Sequence, residues 1–186
     1  MGPLVIVLIV IAVLVLIVIK LYNDLVKLRQ KVRNGWSQID VQLQRRFDLI
    51  PNLVDTVKGY MAHESSVLEK VTELRSSWAN ATSIKEKSNL DNELSGALKT
   101  IMAVSENYPD LKANQNFSQL QEELQNTENK IAFSRQFYND VATKYNTKIE
   151  VVPSNIIANM FGFKPEELFQ VDTAEARKNV KVDFNN

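Results

Sequence analysis

Residues 3 to 19 read PLVIVLIVIAVLVLIVI, without one polar side chain, and Leu21 and Tyr22 carry the apolar run past Lys20. A helix rises about 1.5 Å per residue, so roughly 20 such residues span a hydrocarbon core of about 30 Å. A signal peptide would place positive charge before the run and a small-residue cleavage site after it. Here only the terminus is basic ahead of the run, and KLYNDLVKL follows with no A-x-A. The reading is an uncleaved anchor over residues 1–22. Lys20, Lys27, Arg29, Lys31 and Arg33 all lie on its C-terminal side. By the positive-inside tendency, the N-terminus is expected outside the cell and the rest of this single-pass chain in the cytoplasm. Ala12 is the only small residue of the run beyond Gly2, so close pairing of anchors through G-x-x-x-G is not encoded.

The chain has 186 residues, enough for one sizeable core, and its 22 basic and 22 acidic residues balance. The balance is local, however. From Lys20 to Met61 eight Lys/Arg stand against four Asp/Glu. This excess follows the anchor, where it serves equally as a set of headgroup contacts or as a solvated helix face. It is too sparse for a nucleic-acid stripe. There is no cysteine, which removes disulfides, thiolate metal sites and cysteine nucleophiles.

Beyond the anchor the apolar period is helical throughout. Leu25, Leu28, Val32, Trp36, Ile39, Leu43, Phe47, Ile50, Val54 and Val57 recur at steps of three or four. The stripe crosses Pro51 without a slip, so one long helix, kinked at the proline, is predicted from the membrane to about residue 58. Val67, Val71, Leu74 and Trp78 mark a second helix, and the polar stretch 79–89 reads as a connection. Leu90, Leu94, Leu98, Ile101 and Val104 mark a third, which stops before Tyr108-Pro109. In the fourth, Phe117, Leu120, Leu124, Thr127, Ile131, Ser134, Tyr138, Val141 and Tyr145 form a heptad seam suited to a long antiparallel partner. Pro153 ends this region, SNIIANMFGF reads as a short helix and turn, and VKVDFNN as an extended tail. The predicted fold is all-α. It comprises an anchor (1–22), an antiparallel up-and-down four-helix bundle (23–150) continuous with it, and a short C-terminal helix and extended tail (151–186).

The motifs of common chemistries are missing. His63-Glu64 begins an H-E-x-x-H pattern, but Val67 stands where the second histidine belongs. A lone histidine without cysteine does not build a zinc site. There is no phosphate-binding glycine loop and no G-x-S-x-G elbow. No catalytic residue, cofactor, metal, nucleic acid or small-molecule substrate is therefore assigned, and the chain is read as a non-enzyme. Asn80-Ala-Thr82 and Asn116-Phe-Ser118 match glycosylation acceptors, which carry no meaning in a cytoplasmic domain.

Charge inside the stripes is more informative. RRFDLIPNLV (45–54) gathers Arg45, Arg46, Asp48, Pro51 and Asn52 on the first long helix. A single antiparallel alignment with the fourth helix brings Arg46 near Glu128 and Asp40 near Arg135. Semi-buried pairs of this kind set register more than they add stability. Asp48 and Asn52 are expected to shelter the backbone groups freed by Pro51. With Trp36, these residues form the structural and interaction set.

The stretch YNDLVKLRQKVRNGWSQIDVQLQRRFDLIPNLVDTVKGYMAHE after the anchor resembles the start of a LemA protein. ENYPDLKANQNFSQLQEELQNTENKIAFSRQFYNDVATKYN and PSNIIANMFGFKPEELF resemble later blocks of that family, in order, over essentially the whole chain. Gly35 departs from the alanine that the resemblance leads one to expect. The resemblance implies a bacterial, membrane-anchored helical bundle without established enzyme activity. It also implies kinship to proteins needed for forming magnetosome membranes. The expected function is a scaffold or assembly module at the membrane, partnered by the bilayer and by itself or other membrane proteins. The alternative is a sensory module that transmits through the kinked helix.

Overall fold

The structure, a computed structural model, describes residues 2–61 and 63–169; the expected extended tail at 180–186 lies outside them. Among the described residues every regular element is helical: α1 (Pro3–Lys58), α2 (Ser65–Asn80), α3 (Ile84–Ser105), α4 (Pro109–Lys112), α5 (Gln115–Glu150) and α6 (Ser154–Met160). α1 runs unbroken for 56 residues with Pro51 inside it. Its first part, residues 3–19, is solvent-exposed along its whole length, with nothing packed on the apolar side chains.

Two compact units divide the chain. The first combines residues 1–49 with 121–168. Here α1 buries Leu25, Val32, Ile39, Leu43 and Phe47, and α5 buries Leu124, Ile131, Tyr138, Val141, Tyr145 and Ile149. Arg46 opposite Glu128 and Trp36 opposite Tyr138 establish that the two helices run antiparallel. Thr127 and Ser134 occupy seam positions, and the Thr127 hydroxyl is satisfied by donating to the Glu123 carbonyl one turn back. From Leu124 to Tyr145 every residue the heptad pattern marks in α5 is buried, and the buried face extends to Ile149; Leu120, before them, is half-buried. After a cis Val152–Pro153 bond, α6 turns back; it ends at Met160, and Gly162 just beyond it has a φ of 70°, the left-handed conformation glycine tolerates.

The second unit combines residues 50–120 with the segment from Phe169. In this unit α1 buries Ile50, just before the proline, and Leu53 and Val57 beyond it; Leu53, not Val54, takes the core slot. α2 buries Leu68, Val71, Leu74 and Trp78, so Leu68 replaces Val67 in the expected stripe. The expected 79–89 connection is shorter: α3 begins at Ile84, leaving only residues 81–83 between the helices. The cause is a capping box. The Ser83 hydroxyl accepts from the Glu86 amide, and the Glu86 carboxylate accepts from the Ser83 amide. Glu86 is held below the usual carboxylate range by those backbone donors. α3 and α2 pair as a hairpin, with Lys70 3.2 Å from Glu93 and Lys87 4.7 Å above the Trp78 ring. On α3, Leu90 and Val104 are half-buried, while Ser88, Asp91 and Ser105 lie in the core face. α4 was not expected; Pro109 starts it at a position where the missing N–H costs nothing.

Gly35 faces α5 in the first unit. A Cβ there would meet Tyr138 Cα at 3.4 Å, Val141 Cγ2 at 3.5 Å and Phe137 Cδ1 at 3.6 Å, which is ordinary van der Waals contact. Alanine fits without moving α5 and restricts the unfolded chain. Gly35→Ala is expected to stabilise the full-length protein by about 0.5–1 kcal/mol. Gly35→Leu must displace the α5 backbone and is expected to destabilise it by about 1–3 kcal/mol. Unfolding followed by circular dichroism distinguishes these signs; a loss for Gly35→Ala means that glycine is needed for a closer approach.

Candidate functional site

Two places in the first unit gather the side chains with something to do: the polar stretch of the α1–α5 seam, and the end where α1 leaves its apolar run. In the seam, Arg46 is only 3% exposed, and its guanidinium lies 2.8 Å from the Glu128 carboxylate. Burial pushes the Arg46 pKa down and the Glu128 charge opposes that shift. One turn away on the rim, Arg45 and Glu123 pair at 2.7 Å, half-exposed on both sides. Arg135 is half-buried on α5, and burial, then repulsion from Arg46, brings its pKa to about 10. Asp40 is half-buried on α1. Trp36 is half-buried and stands edge-on to Tyr138 with ring centroids 6.1 Å apart.

Pro51 is half-buried. The role expected for Asp48 and Asn52 around it needs correction. Asp48 is exposed and its carboxylate accepts from Gln44 at 2.8 Å, one turn back, away from the backbone at the proline. At Asn52 it is the main-chain carbonyl that is engaged, accepting from the Thr56 hydroxyl at 2.7 Å.

At the other end, Tyr22 packs against Phe161 (4.8 Å) and Phe163 (5.8 Å), and the Arg29 guanidinium sits 4.8 Å over the Phe163 ring. On the same helix Lys20, Lys27, Lys31 and Arg33 are exposed, and the Arg33 carbonyl accepts from Ser37. The segment after α6 is strapped to α5 by side chains that reading by periodicity treats only as core. The Tyr138 hydroxyl donates to the Glu167 carbonyl at 2.7 Å and the Tyr145 hydroxyl to the Lys164 carbonyl at 2.9 Å. Asn146 makes two bonds to Glu166, donating to its carbonyl and accepting from its amide. Burial raises the Tyr138 pKa to about 12, helped by the charges of Glu166 and Glu167. Tyr145 is also raised by burial and Glu166, with Arg29 and Arg33 pulling the other way. The available signal was chemical: a tyrosine in a seam needs a partner for its hydroxyl, and two of them mark something polar alongside.

Among the described residues no group of three or more His, Asp or Glu is placed to hold a metal ion. His63 is exposed. Glu64 instead accepts from the Tyr108 hydroxyl at 2.8 and 2.9 Å, which raises the phenol's pKa.

The sequence profile of the LemA family matches residues 35–184. A protein LemA from Metamycoplasma hominis is 30% identical over 168 residues, which cover 83% of this chain and 75% of that protein. Magnetosome protein MamQ 2 of Paramagnetospirillum magneticum and magnetosome protein MamQ of Magnetospirillum gryphiswaldense are each 26% identical, over 80% of this chain. The chain spans 64% of the length of each magnetosome protein.

The seam and the strap give separate expectations. Glu128→Gln removes the counter-charge of a buried guanidinium and is expected to cost about 1–3 kcal/mol in urea unfolding. A double-mutant cycle with Arg46→Met should return a coupling of about 1 kcal/mol or more; zero coupling would mean that the pair does not help set the seam. Tyr138 stays protonated in the folded state to about pH 12, against about 10 when unfolded. Its contribution is full below pH 10 and is lost as pH rises from there through 12. Ultraviolet phenolate titration should show a late-ionising class that loses one phenol in Tyr138→Phe; an unchanged class contradicts the assignment.

Proposed function

Because the chain belongs to the LemA family, we propose that it is a single-pass membrane protein whose helical domain works as a non-enzymatic scaffold or assembly module, in membrane organisation or remodelling. The observation that carries this reading is the exposed apolar stretch 3–19, continuous with the helix that forms the α1–α5 seam. Left in water, such a stretch would hold all its large apolar side chains unburied, whereas a bilayer covers them and leaves every backbone group bonded within the helix. The basic residues that follow, Lys20 to Arg33, favour a cytoplasmic domain and contact with anionic headgroups. The similarity to proteins named as magnetosome proteins supports a role in assembly with itself or with other membrane proteins.

A signalling module is the second reading, and one observation favours it. The boundary between the two compact units falls at residues 49 and 50, beside Pro51, where a long helix is most easily bent. A proline-to-alanine change there would stiffen a transmitting helix and leave a static scaffold unaffected.

The full-length protein extracted directly into lipid nanodiscs separates these readings. A large defined oligomer by mass measurement is expected for the scaffold. A monomer over the whole accessible concentration range would overturn it. Phe133, exposed on α5, offers a topology probe: Phe133→Cys should react with an impermeant maleimide only after cells are permeabilised. Reaction in intact cells would reverse the orientation.

A further inference from the structure

We propose that α6 and the turn before it form a second membrane contact: an apolar shoulder lying in the headgroup layer beside the anchor. The inference rests on the anchoring of residues 3–19 proposed above. Three observations carry it. First, Val152, Ile156 and Met160 follow one another at four-residue steps and are 78%, 58% and 67% exposed. Ser154, Ile157 and Ala158, on the other face, are buried. A seven-residue helix that turns Ile156 and Met160 outward on successive turns, with Val152 exposed in the turn before it, is built to meet an apolar medium.

Second, that helix ends against the exit of the anchor. Phe161 follows Met160, is itself half-exposed, and its ring lies 4.8 Å from Tyr22, three residues beyond the last of the uninterrupted apolar run. Aromatic rings with a polar tip settle at the boundary between hydrocarbon and headgroups. Third, the seam register agrees. The alignment that sets Arg46 opposite Glu128 and Trp36 opposite Tyr138 brings Tyr22 level with the Val152 turn. The shoulder therefore stands at the depth where the anchor leaves the lipid, level with a stretch of α1 that carries the exposed Lys20 and Lys27. A bilayer already contacted by the adjoining residues is the occupant this geometry favours. A second copy of the chain has no such continuity to recommend it.

The strap gives the shoulder a fixed position. Tyr138, Tyr145 and Asn146 hold residues 164–167 to α5, and Phe163 is buried beneath Arg29. α6 is thus tied on both sides to the helix pair that continues into the anchor. Two contacts, one spanning and one interfacial, would fix the tilt of the helix pair where a lone anchor leaves it free to lean.

The absence of cysteine makes the test direct. Full-length Ile156→Cys and Met160→Cys, each carrying one environment-sensitive fluorophore, are reconstituted into phosphatidylcholine–phosphatidylglycerol nanodiscs at one protein per disc. Nitroxide-labelled lipid is expected to remove about half or more of the emission at both sites, as for a group at the headgroup–acyl boundary. Phe133→Cys, also exposed but distant in the register, is expected to keep its emission. Ile11→Cys monitors the anchor itself. Quenching at Ile11 without quenching at Ile156 and Met160 overturns the shoulder and leaves the anchor standing. No quenching at any of the sites overturns both. Label emission at Ile156 and Met160 that shifts to the blue only when several copies share a disc, without nitroxide quenching, identifies a second copy as the occupant and likewise overturns the proposal.

Discussion

The structure depends on α1 having no break between its apolar and amphipathic parts. A helix advances by about 100° per residue, so residues 3–19 and the buried stripe from Leu25 to Phe47 are phased against each other by the backbone. A glycine- or proline-rich linker after Tyr22 would have freed the domain from the anchor, but the chain places Leu25, Leu28 and Val32 there. α5 then packs along the stripe, and its C-terminal end brings α6 back to the turn of α1 where the apolar run stops. Each later feature of the first unit follows from that pairing.

The pairing is tuned by a few polar groups in an otherwise apolar seam. Arg46 is nearly fully buried yet ion-paired to a Glu128 that keeps contact with water, an arrangement that lowers the cost of desolvating the pair. Slipping the seam by one helical turn would separate those charges and remove Trp36 from Tyr138. The role proposed for such a pair is specificity of register more than net stability. The tyrosines do related work at the other end, where their rings fill the seam and their hydroxyls hold the returning chain.

Much of this was legible from residue spacing. The limits of α1, the seam of α5 and the Arg46–Glu128 alignment were readable because long helices repeat one signal many times. Errors came where the signal was short or local. Leu53 and Val54 lie on adjacent positions and both fit a step of three or four, so periodicity alone does not choose between them. The polar start of α3 hid behind its composition, although Ser83 and Glu86 spell a capping box. Ser88, Asp91 and Ser105 occupy the buried face of α3 against every rule of apolar patterning. The strap of residues 163–168 has no periodicity to read; it is held by side chains of a distant helix.

Continuity between anchor and domain is the central claim, and hydrogen exchange across residues 20–33 of the full-length protein in nanodiscs tests it most directly. A single helix leaving the bilayer keeps those amides bonded to carbonyls four residues back, so they are expected to exchange as slowly as the seam at residues 39–47. Exchange at the rate of an unstructured peptide would mean that a loose linker joins the anchor to the domain, contradicting the fixed phase on which the rest of the structure is built.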